Sequence, residues 1–239
     1  MIRKLLLLAA LAVALPAAAQ EPSQFASPRW GSFEFSLGGY RPNIDSEFGG
    51  TGPYSTAFGG KRALVFRADF TYTLFANYGS IDVGIGAGYT QRTGRGQKLD
   101  GTTSEDETSL KVVPTRLTLT YRYDVLANRY RWFPLTPYAR ISLDRYNWWV
   151  TNGLGNTAKA GNRSGRGATN GYSFSGGVAF LLDAIDPLLA REMDRDTGIN
   201  HTYLFVDFTK SYVKDFGSSS SWNLSNDRVT ISGGLLFVF

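Results

Sequence analysis

His201 is the single histidine of the 239-residue chain, and cysteine is absent. Any imidazole-based proton transfer or nucleophile activation has to run through this one position. No Ser-x-x-His or Asp-His pattern flanks it, so a polar rim histidine is the plainer expectation. Hard-cation binding would need clustered carboxylates. Asp45 and Glu47 in "NIDSEF", and Glu105, Asp106 and Glu107 in "TSEDETS", supply carboxylates, but neither group follows EF-hand spacing. Solvated acidic loops explain both more simply. Lys159, Arg163 and Arg166 stand among Gly and Asn between positions 151 and 171. They offer positive charge to phosphate oxygens, those of lipopolysaccharide among them. A loop kept soluble by charge is the simpler account here too. "GRGATNG" and "GIGAGY" suggest phosphate loops only superficially, because both lack the following helix and the Lys-Ser/Thr pair. Without thiols there is no disulfide and no thiolate metal site. No cofactor and no metal are expected.

The elements that would position these groups are strands. Residues 1–19, "MIRKLLLLAALAVALPAAA", join two cations, a short apolar run and small residues. That pattern predicts a secretory signal peptide, with a short periplasmic segment over 20–29 and the folded domain over 30–239. The apolar run is too short to span a bilayer. Removing Arg3 and Lys4 takes the formal charge from +5 to near +3, an excess that points to no nucleic acid or other charged partner. Beyond position 19 no 15-residue stretch carries a helical apolar stripe. Gly (27) and aromatic residues (14%) are frequent, which predicts one all-β domain.

Eight segments alternate with period 2: 30–41, 62–75, 79–92, 109–125, 135–150, 171–183, 199–213 and 226–239. In the fourth, Leu117, Leu119 and Tyr121 oppose Arg116, Thr118, Thr120 and Arg122. A strand places successive side chains on opposite faces, so each segment has an apolar and a polar face. The polar faces combine Gly and Ser with Glu34, Arg67, Asp69, Asp82, Arg116, Arg122, Arg140, Asp144 and Asp207, and hold almost no Lys. Small residues beside opposite charges suit the lumen of a narrow barrel, where the charges pair with one another. The apolar faces are then the outside of a membrane barrel. Tyr40, Tyr72, Tyr78, Tyr121, Tyr123, Trp132, Phe133, Trp148, Trp149 and Tyr172 are expected to form its two aromatic girdles. Gaps are long after segments one, three, five and seven and short after two and four. The stretch 183–199 predicts a short amphipathic helix. The fold expected is a closed antiparallel up-and-down transmembrane barrel of eight strands, with both termini on the short-turn side.

The tail "ISGGLLFVF" resembles the C-terminal β-signal of outer-membrane barrels, carried by Ser232, Gly234, Phe237 and Phe239. That resemblance implies recognition by the barrel-assembly machinery and a bacterial outer-membrane location. "GGYRPNIDSEF" and "GPYSTAFGG" resemble the opening of an uncharacterised outer-membrane barrel family of myxobacterial type, which implies the fold and transfers no activity or site residue. Outer-membrane lipid and lipopolysaccharide are the partners expected, around a monomer. The role expected is non-enzymatic, in envelope stability or surface interaction, with a lumen filled by side chains. A narrow channel for ions or small solutes is the alternative, and an enzyme acting on membrane lipid, using His201, the third reading.

Overall fold

The computed structural model describes residues 28–49, 51–97, 103–130, 132–160, 163–218 and 221–239. The expected signal peptide and most of the segment 20–29 lie outside them. Eight antiparallel strands close into one barrel: β1 (Gly31–Tyr40), β2 (Ala63–Phe75), β3 (Ser80–Gln97), β4 (Thr103–Arg122), β5 (Leu135–Asn152), β6 (Arg166–Leu181), β7 (His201–Val213) and β8 (Thr230–Val238). Each strand pairs with its neighbours in the chain, and β8 pairs back with β1 from Ser32↔Val238 to Gly38↔Ser232. Closure reaches the last residue. Trp30 N donates to the Phe239 carbonyl at 2.7 Å, and Phe239 N donates to Gly31 O at 2.9 Å. Among the described residues, the barrel sheet has no unpaired edge strand.

Side chains alternate as the period-2 pattern requires. Leu64, Ile85, Leu117, Ile141, Phe174, Phe208 and Ile231 point outward and are exposed, whereas Ser32, Asp82, Thr120, Ser173 and Thr230 point inward and are buried. Outward apolar stretches such as Leu64–Leu74 and Ile81–Tyr89 are eleven and nine residues long, the length with which a tilted strand crosses a bilayer. The stretch 92–109, expected as a loop, is largely ladder: Arg92↔Leu110, Thr93↔Ser109, Gly94↔Thr108 and Arg95↔Glu107 are paired. Apolar alternation stops at Tyr89 because the wall above it turns polar, but the backbone pairing does not need it. β6 likewise begins at Arg166, and a small separate hairpin pairs Lys159–Ala160 with Arg163–Ser164. The β3–β4 register skips the positions opposite Pro114, a residue with no N–H to give.

The two ends of the barrel differ. At the terminal end, α2 (Val125–Arg129) and α3 (Pro187–Thr197) fill the β4–β5 and β6–β7 connections. The helix expected over 183–199 is α3. Asp186 accepts from Leu188 N and Leu189 N at its start, and Gly198, at φ 74°, ends it. At the loop end, the β1–β2 connection folds into a 3-10 turn (Ile44–Glu47) and a short helix, α1 (Pro53–Phe58), which lie over the barrel mouth.

Closure depends on Gly234. A Cβ there would stand 1.8 Å from Phe35 O, a backbone atom of β1, whereas one at Gly233 would meet nothing nearer than 3.5 Å. Gly234→Val is therefore expected to abolish the heat-modifiable folded band on gels, and Gly233→Ala to keep it. Normal folding of Gly234→Val would contradict this account of the seam.

Candidate functional site

The distinctive chemistry of this chain is in its lumen. Every inward charge expected from the sequence points in: Glu34, Arg67, Asp69, Asp82, Arg122, Arg140, Asp144 and Asp207 are buried, and the Arg116 side chain is 8% exposed. Arg140 on β5 reaches across to Glu34 on β1 through two bonds, Nη1–Oε1 at 3.1 Å and Nη2–Oε2 at 2.6 Å. Arg116 on β4 forks onto Asp69 on β2 through Nε–Oδ1 at 2.6 Å and Nη2–Oδ2 at 2.7 Å. It also stands 3.9 Å from Glu34, so these four residues form one connected cluster. Arg122 donates to Asp82 at 2.7 Å, and Thr73 and Ser80 donate to the same carboxylate. Planar guanidinium–carboxylate forks are among the stronger polar contacts a protein makes.

Glycine on β3 leaves room for this cluster. A Cβ at Gly86 would lie 1.8 Å from Asp69 Oδ1 and 3.1 Å from the Arg116 stem. The rest of the expected network is looser. Arg67 makes only a 3.5 Å contact to Ser232 and no ion pair within 4 Å among the described residues. Asp207 accepts from Thr209 at 2.8 Å. Asp144 lies close to Ser173 and Ser142 and within electrostatic range of Arg67 and Arg116, and among the described residues its Oδ2 has no hydrogen-bond partner. It borders a void of about 10 Å³ beside Arg67, Arg116 and Tyr146, room for about one water.

Above and below the charges the lumen turns apolar, which the sequence reading missed. At the loop end Tyr40, Ile44, Tyr54, Tyr146, Trp148 and Leu224 pack together with Phe58. Trp148 stacks on Trp222 at 4.3 Å with planes 12° apart, and Tyr40 Oη donates to Leu224 O at 2.6 Å. At the terminal end Tyr138, Leu181, Tyr203, Phe205, Leu236 and Val238 close around Ala127 of α2. Tyr40 and Trp148 are thus not girdle residues: they are 3% and 9% exposed inside the mouth. Tyr72, Tyr78, Tyr121, Trp132 and Tyr172 do stand exposed on the outside. A second signal was available in the sequence, since Leu236 and Val238 place apolar residues on the inward phase of β8.

The remaining candidates resolve as structure. Asp45 is not a cation ligand: its carboxylate accepts from Tyr54 N at 2.8 Å and Ser55 N at 3.1 Å, capping α1, and from Arg41 at 3.2 Å. Burial pushes its pKa up, but the bonds from Ser55, Tyr54 and Arg41 outweigh it and hold the carboxyl below its usual range. Glu47 and Glu107 are exposed, and the Glu105 side chain is outside the described residues. Among the described residues no three His, Asp or Glu side chains gather as a metal site. His201 sits at the terminal end, its Nδ1 2.7 Å from Asp183 and its Nε2 2.6 Å from Arg29, which also pairs with Asp124 at 2.6 Å. Both ring nitrogens are engaged in a clamp on the start of the barrel. Lys159 and Arg166 are exposed at the loop end, and the Arg163 side chain is outside the described residues. In the tail, Ser232 is buried and Gly234 is on the same inward face, while Phe237 and Phe239 are on the outward phase.

No protein-family model matches the chain, and no curated protein does. Among solved structures it is similar to Neisserial surface protein A, at 12% identity over 89% of this chain and 98% of that one, with a TM-score of 0.46. It is also similar to Ail, the attachment invasion locus protein of Yersinia pestis, at 10% identity over 88% and 97% with a TM-score of 0.42. A third is the N-terminal β-barrel domain of Pseudomonas aeruginosa OprF, at 12% identity over 89% and 100% with a TM-score of 0.41. At such identities and scores the likeness says nothing about activity or partner.

Glu34→Ala strands a buried guanidinium and is expected to lower stability by about 3–5 kcal/mol in urea unfolding, whereas Glu34→Leu combined with Arg140→Met recovers most of that loss. Because the folded pKa of Asp45 is lowered, the stability it gives the first loop is complete above the usual carboxylate range. It is lost as pH falls through the lowered value. Amide exchange at Tyr54 and Ser55 should therefore accelerate only in acid, and Asp45→Asn should show that fast exchange at neutral pH.

Proposed function

We propose that this chain is a bacterial outer-membrane barrel, non-enzymatic and non-conducting, that strengthens the envelope and meets surface partners through its loop end. The observation that carries this is the filled lumen: a buried ion-pair cluster between two apolar plugs. Water or ions would have to displace Tyr40, Tyr146 and Trp148 at one end and Tyr203 and Phe205 at the other. Burying one such side chain is worth about 1.5–3 kcal/mol. The membrane reading is supported by the continuous outward apolar band and by aromatic residues near both of its borders, such as Tyr121 and Tyr172. A contiguous apolar surface of this extent does not remain in water on a monomer. Ser232, Gly234, Phe237 and Phe239 fit a β-signal read by the barrel-assembly machinery during insertion. Lys159 and Arg166, exposed at the loop end, suit phosphate groups of lipopolysaccharide. No arrangement around His201 favours catalysis, since both of its nitrogens are taken up by Asp183 and Arg29.

Reconstitution into planar bilayers tests the sealed lumen. The expected record is a quiet baseline at applied voltages of either sign. Reproducible single-channel steps from the folded barrel would overturn this reading in favour of a narrow channel.

A further inference from the structure

The outer wall is not evenly bulky. Along the hydrogen-bonding direction, one outward row reads Phe33, Phe70, Ile85, Leu117, Leu143 and Tyr172 from β1 to β6. The next row toward the loop end carries Ala68, Ala87 and Thr115, then Arg145 and Asn170. The row beyond turns bulky again at Phe66 and Tyr89. The small side chains beside the bulky row of Phe33, Phe70, Ile85, Leu117 and Leu143 leave a furrow of about 810 Å³, open along the outside and reaching Arg145, Asn170 and Phe216 at its upper end. That volume lies within the roughly 300–1,000 Å³ of small-molecule sites.

The furrow has a direction and a head. It crosses the spacings from β1 to β6, each about 4.8 Å, so it is about 24 Å long. Strands tilted by roughly 35–45° make this row climb by about 15 Å, half the roughly 30 Å hydrocarbon core. It climbs toward the loop end, since Phe33 lies near the start of β1 and Tyr172 faces Tyr212 near the upper end of β7. At its head Arg145 faces outward, with one direct side-chain bond, Nη1 to Asn170 Oδ1 at 3.2 Å. Asp215 is close enough to feel that charge but is held elsewhere, by Asn170 N at 2.8 Å, Asn170 Nδ2 at 3.1 Å and Ser221. Among the described residues no carboxylate pairs with Arg145 within 4 Å.

We propose that this furrow is a binding site for one glycerophospholipid, with an acyl chain along Ala68, Ala87 and Thr115 and its phosphate on Arg145. The inference rests on the membrane reading above. One furrow and one guanidinium match a lipid with a single phosphate, and the half-bilayer rise matches a chain of one leaflet. Guanidinium is the side-chain group best shaped to fork onto a phosphate, and Asn170 adds a further polar group beside it. Ordinary annular lipid would touch all sides of the wall with no preference for this one.

Native mass spectrometry of the barrel folded in detergent tests the site, with phosphatidylglycerol, dioleoylglycerol and lipid A as probes. Heat-modifiable gel mobility is checked for every variant. One retained phosphatidylglycerol per barrel is expected. Retention should be lost in Ala87→Leu and in Ala68→Leu, which fill the furrow from its exposed face. Arg145→Gln should weaken it roughly tenfold or more, and dioleoylglycerol, which has no phosphate, should bind the wild type no better than that. Unchanged retention in both leucine variants, equal retention of dioleoylglycerol, or stronger retention of lipid A would overturn the proposal. A chain that shows no folded band in any lipid or detergent refutes the membrane reading. A folded barrel that prefers no lipid refutes the furrow alone.

Discussion

The contact between Arg140 and Glu34 sets the terms for the rest of the barrel. These residues are 106 positions apart in the chain and face each other across the lumen from β5 and β1. A charge in so enclosed a space is tolerated only when its partner is fixed within bonding distance and the remaining donors are used. Arg140 Nε accordingly donates to Thr120 at 3.0 Å, and Glu34 shares its charge with Arg116. Strand register follows from this requirement. A slip of one residue would turn both charges to the outside and bring Phe35 and Ile141 into the lumen. The small residues of β3 have the same origin, because Gly86 is where Asp69 and Arg116 need space.

The charge cluster is flanked along the barrel. Inward aromatic and aliphatic residues occupy both ends of the lumen, so the ion pairs lie between two apolar layers. Loops contribute to the upper layer: Ile44, Tyr54 and Phe58 come from the first connection, and Trp222 and Leu224 from the last. Arg41 ties these two connections together, bonding Asp45 and Ser55 on one side and reaching Asp227 at 3.5 Å on the other. The lid over the barrel is therefore a product of polar tethering as well as apolar packing. On the exterior, the row of Ala68, Ala87 and Thr115 ends at the guanidinium of Arg145.

Much of this was legible in the residues. Strand existence and phase were readable because the period of 2 is unbroken from Leu64 to Leu74 and from Ile81 to Tyr89. The inward charges were readable because they share their phase with Gly and Ser. Partner choice was not: Arg140 meets Glu34, and among the described residues Arg67 pairs with no carboxylate within 4 Å, for reasons of barrel stagger that no single strand encodes. Tyr40 and Trp148 read as interfacial aromatics because an inward plug and an outward girdle draw on the same residue types at strand ends. Asp45 read as a loop carboxylate, since the helix it caps begins eight residues later and becomes a partner only once the chain has turned.

The direct test of a sealed, ion-paired lumen is hydrogen exchange at the Nε–H of Arg116 and Arg140, followed by NMR in the folded barrel. Both protons are bonded, to Asp69 and Thr120 respectively, between the two apolar plugs. Exchange as slow as that of the central strand amides is the predicted result. Exchange near the rate of a free arginine side chain would show a wet lumen and contradict the account.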